Sequence, residues 1–425
     1  MTRRAAWFAV LVLVSARLCA AQTPANFTIA FIGDQSLEPD ARLVAELIMS
    51  EGADAVVHSG DFDYEDNPAA WEDSLNLWFG VSFPYFACIG NHDKTAFRGP
   101  GGYQEFLEAR LTRLGIAWDG DLGVKSSLVY QGVTILLTGP GTEGSDHDVY
   151  IRDVLASSPA RWRVSSWHRN MRLMQVGGKD DDTGWGVYEE SRRGGAVVAT
   201  GHSHTYSRSH LLSNMMSQTI ADSSDTLRIR RDDPATALDD EGTSFAFVSG
   251  LGGRSIRDQE IGGPWWASVY TSTQNATYGA LFGVFHFDAD PNLAHFYFKT
   301  IDGTVVDDFY VRSDVDPASD VTPQPPAADL TAVALVPGNP VVGALSVRYE
   351  LTQPAPLRVR VHDVRGRLLH AEEHDDIGSD GVRLWTWSPS RSGHSIPPGV
   401  YFVQLSTPTT TRTLRAVLLP ETTER

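Results

Sequence analysis

The sequence has few cysteines, a deficit of positive charge and no long apolar run. Two cysteines in 425 residues exclude a disulfide-stapled fold and a zinc-ribbon protein together. Lys and Arg number 35 against 53 Asp and Glu, a formal charge of −18. A basic surface that grips nucleic-acid backbones or anionic membranes is therefore not expected. No segment reaches the roughly 20 consecutive apolar residues that a transmembrane helix requires. What is present is ordinary for a globular chain: 42% hydrophobic and 21% charged residues, with 11 Trp, enough to bury a sizeable core. At roughly 150 residues per domain the length predicts about three domains.

The N-terminus changes this arithmetic. Arg3 and Arg4 precede an apolar run from Ala5 to Val14, and small residues follow up to Ala20-Ala21. A positive start, a short apolar stretch and a small-residue end read as a secretory signal peptide over 1–21. The expected location is therefore outside the cell or on its surface. Cleavage after residue 20 would remove three arginines and no acid, moving the charge from −18 to −21. It would also leave Cys88 as the lone cysteine.

From residue 26 to 313 short apolar runs alternate with helical patterns. Phe27–Gly33, Ala53–His58, Tyr85–Ile89, Arg163–Trp167 and Ala196–Thr200 read as strands, and Ser127–Tyr130 with Val133–Thr138 as a hairpin. Leu43, Val44, Leu47 and Ile48, then Trp71, Leu75 and Trp78, fall at helix spacing. Clustered late strands complete an α/β sandwich. The polar stretch 211–243 reads as a surface insertion. A proline-rich segment over 314–328 reads as a semi-rigid linker. Strict alternation at Leu357–His362, with further strands at Val382–Trp387 and Val400–Leu405, then marks a small all-β sandwich over 329–420.

Five stretches of the first domain put a polar ligand type directly after an apolar strand: Gly33-Asp34, Gly60-Asp61 with Tyr64, Gly90-Asn91-His92-Asp93, Trp167-His168, and Gly201-His202-Ser203-His204. Ligands of α/β sheets bind at the carboxyl ends of strands, and glycine before the ligand permits a sharp turn there. Any one of these is explained by a helix cap or a satisfied polar residue. Five in this order are more than helix caps and satisfied polar residues account for.

The set resembles the calcineurin-like metallophosphoesterase superfamily, and within it the purple acid phosphatase branch. The family's opening Asp-x-His is here Asp34-x-Ser36, and Tyr64 stands three residues after Asp61, as that branch requires. Gly201-His202-Ser203-His204-Thr205-Tyr206-Ser207-Arg208 and Ser249-Gly250-Leu251-Gly252-Gly253 are similar to the branch's later motifs. The resemblance implies a four-layer α/β/β/α sandwich. It also implies two metal ions, the first held by Asp34, Tyr64 and His204, the second by Asn91, His168 and His202, with Asp61 bridging. Anionic oxygens around the first suit Fe3+, and imidazoles with an amide oxygen suit a divalent ion such as Fe2+, Zn2+ or Mn2+. Attack by metal-bound hydroxide on a phosphate monoester follows. His92 would orient the phosphate or protonate the leaving oxygen, Asp93 would fix its tautomer, and Arg169 is either a substrate contact or a solvated charge. A phosphodiesterase acting on nucleotides or lipid headgroups is the alternative within the class, because substrate choice lies in cleft loops. A catalytically dead secreted binding protein is the alternative outside it, and seven competent ligand positions weigh against that.

Residues 330–420 resemble the C-terminal sorting domain of the type IX secretion system, through Val347–Leu351, Val361–Arg367, Trp385 and Pro398–Phe402. That resemblance implies a small immunoglobulin-like sandwich and secretion machinery or surface attachment as its partner; alternation alone is equally compatible with a carbohydrate-binding module. Three other patterns are set aside. His370-Ala371-Glu372-Glu373-His374 fits a zinc-protease motif that needs a helix but stands in a β region. Asp288-x-Asp290-x-Asn292 has Leu293 and Lys299 where a calcium loop needs Gly and Glu. Asp180-Asp181-Asp182 reads as a solvated loop near the cleft rim.

Overall fold

A computed structural model describes residues 23–232, 241–315 and 330–419, except 337, 352–354, 364–367, 378–381, 389–396 and 408–410. The expected signal peptide lies outside the described residues, as does the linker beyond residue 315. The chain divides into two compact units, 1–319 and 320–425.

The first unit is mixed α/β. The apolar runs pair into a seven-stranded and an eight-stranded sheet. In the first sheet the fully buried strand Phe27–Ile32 lies parallel to Ala55–His58, which lies parallel to Tyr85–Ala87. On its other side Phe27–Ile32 runs antiparallel to Gly279–Phe285. In the second sheet Val133–Thr138, Trp162–Ser166, Val197–Thr200 and Ala246–Ser249 are successive parallel neighbours. Continuous apolar runs of this kind are what strands covered on both faces require. The sheets face each other through aromatic contacts such as Phe31–Phe247 and Trp162–Phe285, with ring centroids 5.2 Å apart in both.

The helices cover the outer faces. Pro39–Ser50 begins on a proline, whose missing N–H costs nothing in a first turn, and buries Val44, Leu47 and Ile48. Leu43, expected on the same face, is exposed. Pro68–Trp78 is capped by Asn67 Oδ1, which accepts from the Ala70 amide, and buries Trp71 and Leu75.

The stretch 211–243 is not the simple surface insertion that its polarity predicts. Leu211–Asn214 and Thr219–Asp222 form a hairpin, and Thr226–Ile229 joins the edge of the first sheet in parallel with Val305–Ser313. The reason is alternation too short to stand out: Leu227 and Ile229 are buried while Thr226 and Arg228 face out.

A buried ion pair crosses between the sheets. Arg208 donates from Nε and Nη2 to the two carboxylate oxygens of Asp307, at 2.7 and 2.9 Å, and Tyr206 donates its hydroxyl at 2.7 Å. Both charges are buried, and the strand they anchor follows the two histidines at 202 and 204.

Among its described residues the second unit is all β, with a three-stranded and a five-stranded sheet that share one core including Val347, Trp385, Val359 and Val403. His370, Glu372 and His374 lie on the strand Leu368–Ile377, where residues two apart share a face. The helix that the protease motif needs is absent there.

Candidate metal centre

Five of the parallel strands, Phe27–Ile32, Ala55–His58, Tyr85–Ala87, Trp162–Ser166 and Val197–Thr200, end in loops that carry one or two of the expected ligands, and local backbone aims them. The loops after the first two strands stay zipped beyond the sheet: Asp34, Gln35 and Ser36 donate their amides to the carbonyls of Gly60, Asp61 and Phe62. Asp34, Asp61, Tyr64, His202 and His204 all have positive φ, between 50° and 72°. Side chains rarely accept this conformation, and its concentration at one place marks a functional site. Gly90 shows how tightly the loops meet, since a Cβ there would lie 2.2 Å from both the amide nitrogen and Oδ1 of Asp61.

The seven expected ligands converge as two overlapping groups. In the first, the Tyr64 hydroxyl lies 3.0 Å from both Asp34 Oδ1 and His204 Nε2, and His204 Nε2 lies 3.3 Å from Asp34 Oδ1. In the second, His168 Nε2 lies 3.1 Å from Asp61 Oδ2, 3.2 Å from Asn91 Oδ1 and 3.1 Å from His202 Nδ1. Asp61 belongs to both groups, with Asp34 and His204 on one side and His168 and His202 on the other. Ligands bound at about 2.1 Å on adjacent corners of a polyhedron stand about 3 Å apart, so the donor set fits two ions sharing one carboxylate.

Hydrogen bonds behind the ring orient the imidazoles of His168 and His204. His168 Nδ1 lies 2.7 Å from the Ser59 carbonyl, which has no proton to give, so the proton is on Nδ1 and the Nε2 lone pair faces the ligand cluster. His204 turns Nδ1 to Ser255 Oγ at 2.6 Å, leaving Nε2 for the centre. Such partners raise ligand basicity and hold ring orientation. His202 instead turns Nδ1 to within 3.1 Å of His168 Nε2, and its Nε2 stands 3.7 Å from Asp182 Oδ2, beyond hydrogen-bond range.

The electrostatics of the donor set suit a cation. Burial raises the Tyr64 phenol pKa, and Asp34 and Asp61 add to the rise. Burial and the charges of His168 and Lys179 push His202 down to about 2. Burial alone would lower His168, but the Asp61 carboxylate lifts it to about 9. Burial would likewise raise Asp61, but His168 holds it below the usual carboxylate range. A bound cation stabilises phenolate, neutral imidazole and carboxylate together.

Two residues stand otherwise than expected. The Asp93 carboxylate makes no described bond to the His92 ring. Its oxygens accept from the backbone amides of Gly90, Asp61 and Phe62 at 2.7, 2.9 and 2.8 Å. Full burial and the Asp61 charge push it up to about 8, against the pull of those amides. It therefore ties the second and third ligand loops together, because the turn after Gly90 points it inward. Arg169 donates to Asp182 at 2.9 Å, so its charge is already partnered, and Asp182 belongs to the wall of the site. His92 does face the cleft, its ring 4.6 Å from that of Tyr64 and its amide donating to Asp61 Oδ1 at 2.9 Å. Sequence reasoning missed Lys179, Arg254, Ser255 and Arg257, which also line this cleft. Three of them directly follow the glycine motif that ends at Gly253.

Residues 27–206 match the family model of the calcineurin-like phosphoesterases. The fold is similar to that of a purple acid phosphatase from yellow lupin (Lupinus luteus) seeds, with a TM-score of 0.51 and 15% identity over 68% of this chain and 54% of that one. The chain thus spans about half the length of that structure. PhoD is matched with a TM-score of 0.36 and 13% identity over 70% of this chain and 74% of that one. No curated protein matches the chain in sequence. Within the first unit, residues 27–206 are thus similar to the calcineurin-like phosphoesterases.

Proposed function

We propose that this calcineurin-like phosphoesterase domain works as a dinuclear, purple acid phosphatase-like hydrolase of phosphate monoesters, exported from the cell. Its C-terminal unit would serve sorting or surface attachment. The observation that carries the enzymatic reading is the sharing of Asp61 between two ligand groups whose donor atoms stand 3.0–3.3 Å apart. Asp34, Tyr64 and His204 would hold the first ion, and Asn91, His168 and His202 the second. Phenolate and carboxylate oxygens favour Fe3+ in the first position, and the two imidazoles and amide favour a divalent ion in the second. When bound, such a pair supplies a nucleophile near neutral pH and positive charge for the phosphoryl oxygens.

The chain's own residues supply position and protons. His92, held against Tyr64 and pinned through its amide to Asp61, presents its ring to the cleft, where it can bond a phosphoryl oxygen or hand a proton to the departing alcohol. Asp93 keeps the loops of Asp61 and Asn91 in register, which preserves ligand spacing through turnover. Arg169 acts through Asp182, whose Oδ2 stands 3.7 Å from His202 Nε2.

Turnover of a chromogenic phosphomonoester and diester, with metal analysis beside it, tests the reading. Monoester turnover by protein holding two metal ions, with a visible absorption band that disappears in Tyr64→Phe, is expected. A colourless, iron-free and active protein would replace iron by other metals, and metal-loaded protein inert to both esters would overturn the hydrolase. Release from cells after deletion of residues 329–425 would remove the sorting role.

A further inference from the structure

The chain is acidic overall, yet the mouth of its metal centre is not. Lys179, Arg254 and Arg257 line the same cleft, of about 240 Å³, as Asp61, Asn91 and His92. Among the described residues none of these three cations has a carboxylate or hydrogen-bond partner for its charged group. The arginines elsewhere on the same unit commonly do, as at Arg98, Arg152 and Arg169. Their backbone is nonetheless fixed to the centre. Arg254 donates its amide to the carbonyl of Asp34 and Arg257 donates its amide to that of His204, each at 3.1 Å. The Arg254 guanidinium lies 4.7 Å from the centroid of the Tyr64 ring, so it sits over the ligand cluster. Burial and the neighbouring Arg257 lower the Lys179 ammonium pKa, as expected of cations that face one space.

Three cations without a carboxylate or hydrogen-bond partner, beside a centre that would carry further positive charge once its metals are bound, repel one another, and an anion between them removes the penalty. In the hydrolase reading the scissile phosphate would sit at the metal ions held by Asp34, Asp61, Tyr64, Asn91, His168, His202 and His204. We propose that Lys179, Arg254 and Arg257 form a second anion subsite, and that the substrate carries another phosphate next to the one removed. This deepens the hydrolase reading and rests on it. A phosphoanhydride and a small polyol bearing two phosphates share the required chemistry. The cleft volume lies below the roughly 300–1,000 Å³ of drug-sized pockets, which suits a small phosphorylated molecule.

Calorimetric titration of metal-loaded protein with paired probes tests the subsite: orthophosphate against pyrophosphate, and glucose 6-phosphate against glucose 1,6-bisphosphate. In at least one pair the second phosphate should tighten binding by about tenfold or more, a gain typical of charge-assisted bonds to phosphate. The pair with the larger gain identifies anhydride or polyol. The double variant Arg254→Ala/Arg257→Ala should reduce that ratio to within about twofold, and Lys179→Ala should lower it in the same direction. The exposed Arg152→Ala should leave the ratio as it is. Equal affinity within both pairs for the native protein, or a ratio that survives the double variant, overturns the subsite. Chromogenic monoester turnover on the same samples separates the two readings: turnover without the binding preference removes only the subsite, and preference without turnover removes only the hydrolase.

Discussion

Asp93 Oδ2 accepts the backbone amide of Asp61 at 2.9 Å, so the Asp93 side chain determines where the carboxylate shared by the two donor groups stands. The same side chain takes the amides of Gly90 and Phe62, and its full burial leaves water no access as a substitute.

Asp93→Asn keeps the volume but turns an N–H group toward amides that need an acceptor. We expect a loss of about 1–3 kcal/mol in unfolding free energy from buried amides left without an acceptor, together with weaker binding of both metal ions. Urea denaturation and metal content after dialysis check this. Full metal retention with unchanged stability would show that the three amides are held some other way.

Ser255 acts on the first ligand group only. Removing its hydroxyl in Ser255→Ala frees Nδ1 of His204, and loss of such a partner typically weakens metal binding about 10–100-fold. Chelator competition should show one ion leaving earlier than in the native protein while the other is retained. The effect should spare Asn91, His168 and His202, whose contacts lie elsewhere.

The Arg208–Asp307 pair joins the strand behind His204 to the opposite sheet. Asp307→Ala leaves a buried guanidinium over the Phe309 ring, 3.9 Å from its centroid. It should cost about 3–5 kcal/mol, as breaking a buried pair from one side does. Replacing both partners by apolar residues (Arg208→Met with Asp307→Leu) should cost less than either single change. A double variant less stable than both singles would contradict that account.

His58 should steepen the acid limb of stability. Its ring is fully buried, with Nδ1 2.8 Å from the Tyr85 hydroxyl, and burial lowers its pKa to about 3. Above about pH 6.5 both folded and unfolded chains carry it neutral. Below that the unfolded chain takes up a proton that the folded chain refuses, so stability falls with acid by up to about 1.4 kcal/mol per pH unit until about pH 3. His58→Gln removes this term, and its urea midpoint should gain on the native one as pH drops from 7 to 4. Parallel curves would mean that His58 does not drive the acid limb.

Much of the first unit was legible because continuous apolar runs flanked by glycine leave few alternatives to buried parallel strands. The strand boundaries fall within one or two residues of the runs, as at Phe27–Ile32 and Val197–Thr200. The strand Thr226–Ile229 escaped notice because two buried residues in four do not establish a period. Asp93 was assigned to His92 because they are neighbours in sequence. The chain turns at that point, and the carboxylate finds amides at positions 61 and 62 instead.

The sequence by itself determined the donor types and their order at the strand ends: Asp34, Asp61, Tyr64, Asn91, His168, His202 and His204. Side-chain chemistry and strand periodicity are local properties, and both survive in a linear reading. Tertiary structure alone decided which nitrogen of His168 and of His204 faces the centre, because Ser59 reaches His168 from 109 positions away and Ser255 reaches His204 from 51. It also brought Lys179 beside Arg254 and Arg257 at one cleft. The overall charge of −18 predicted nothing of that basic mouth, because a net charge sums over the whole chain whereas a substrate meets only the few groups that folding places around it.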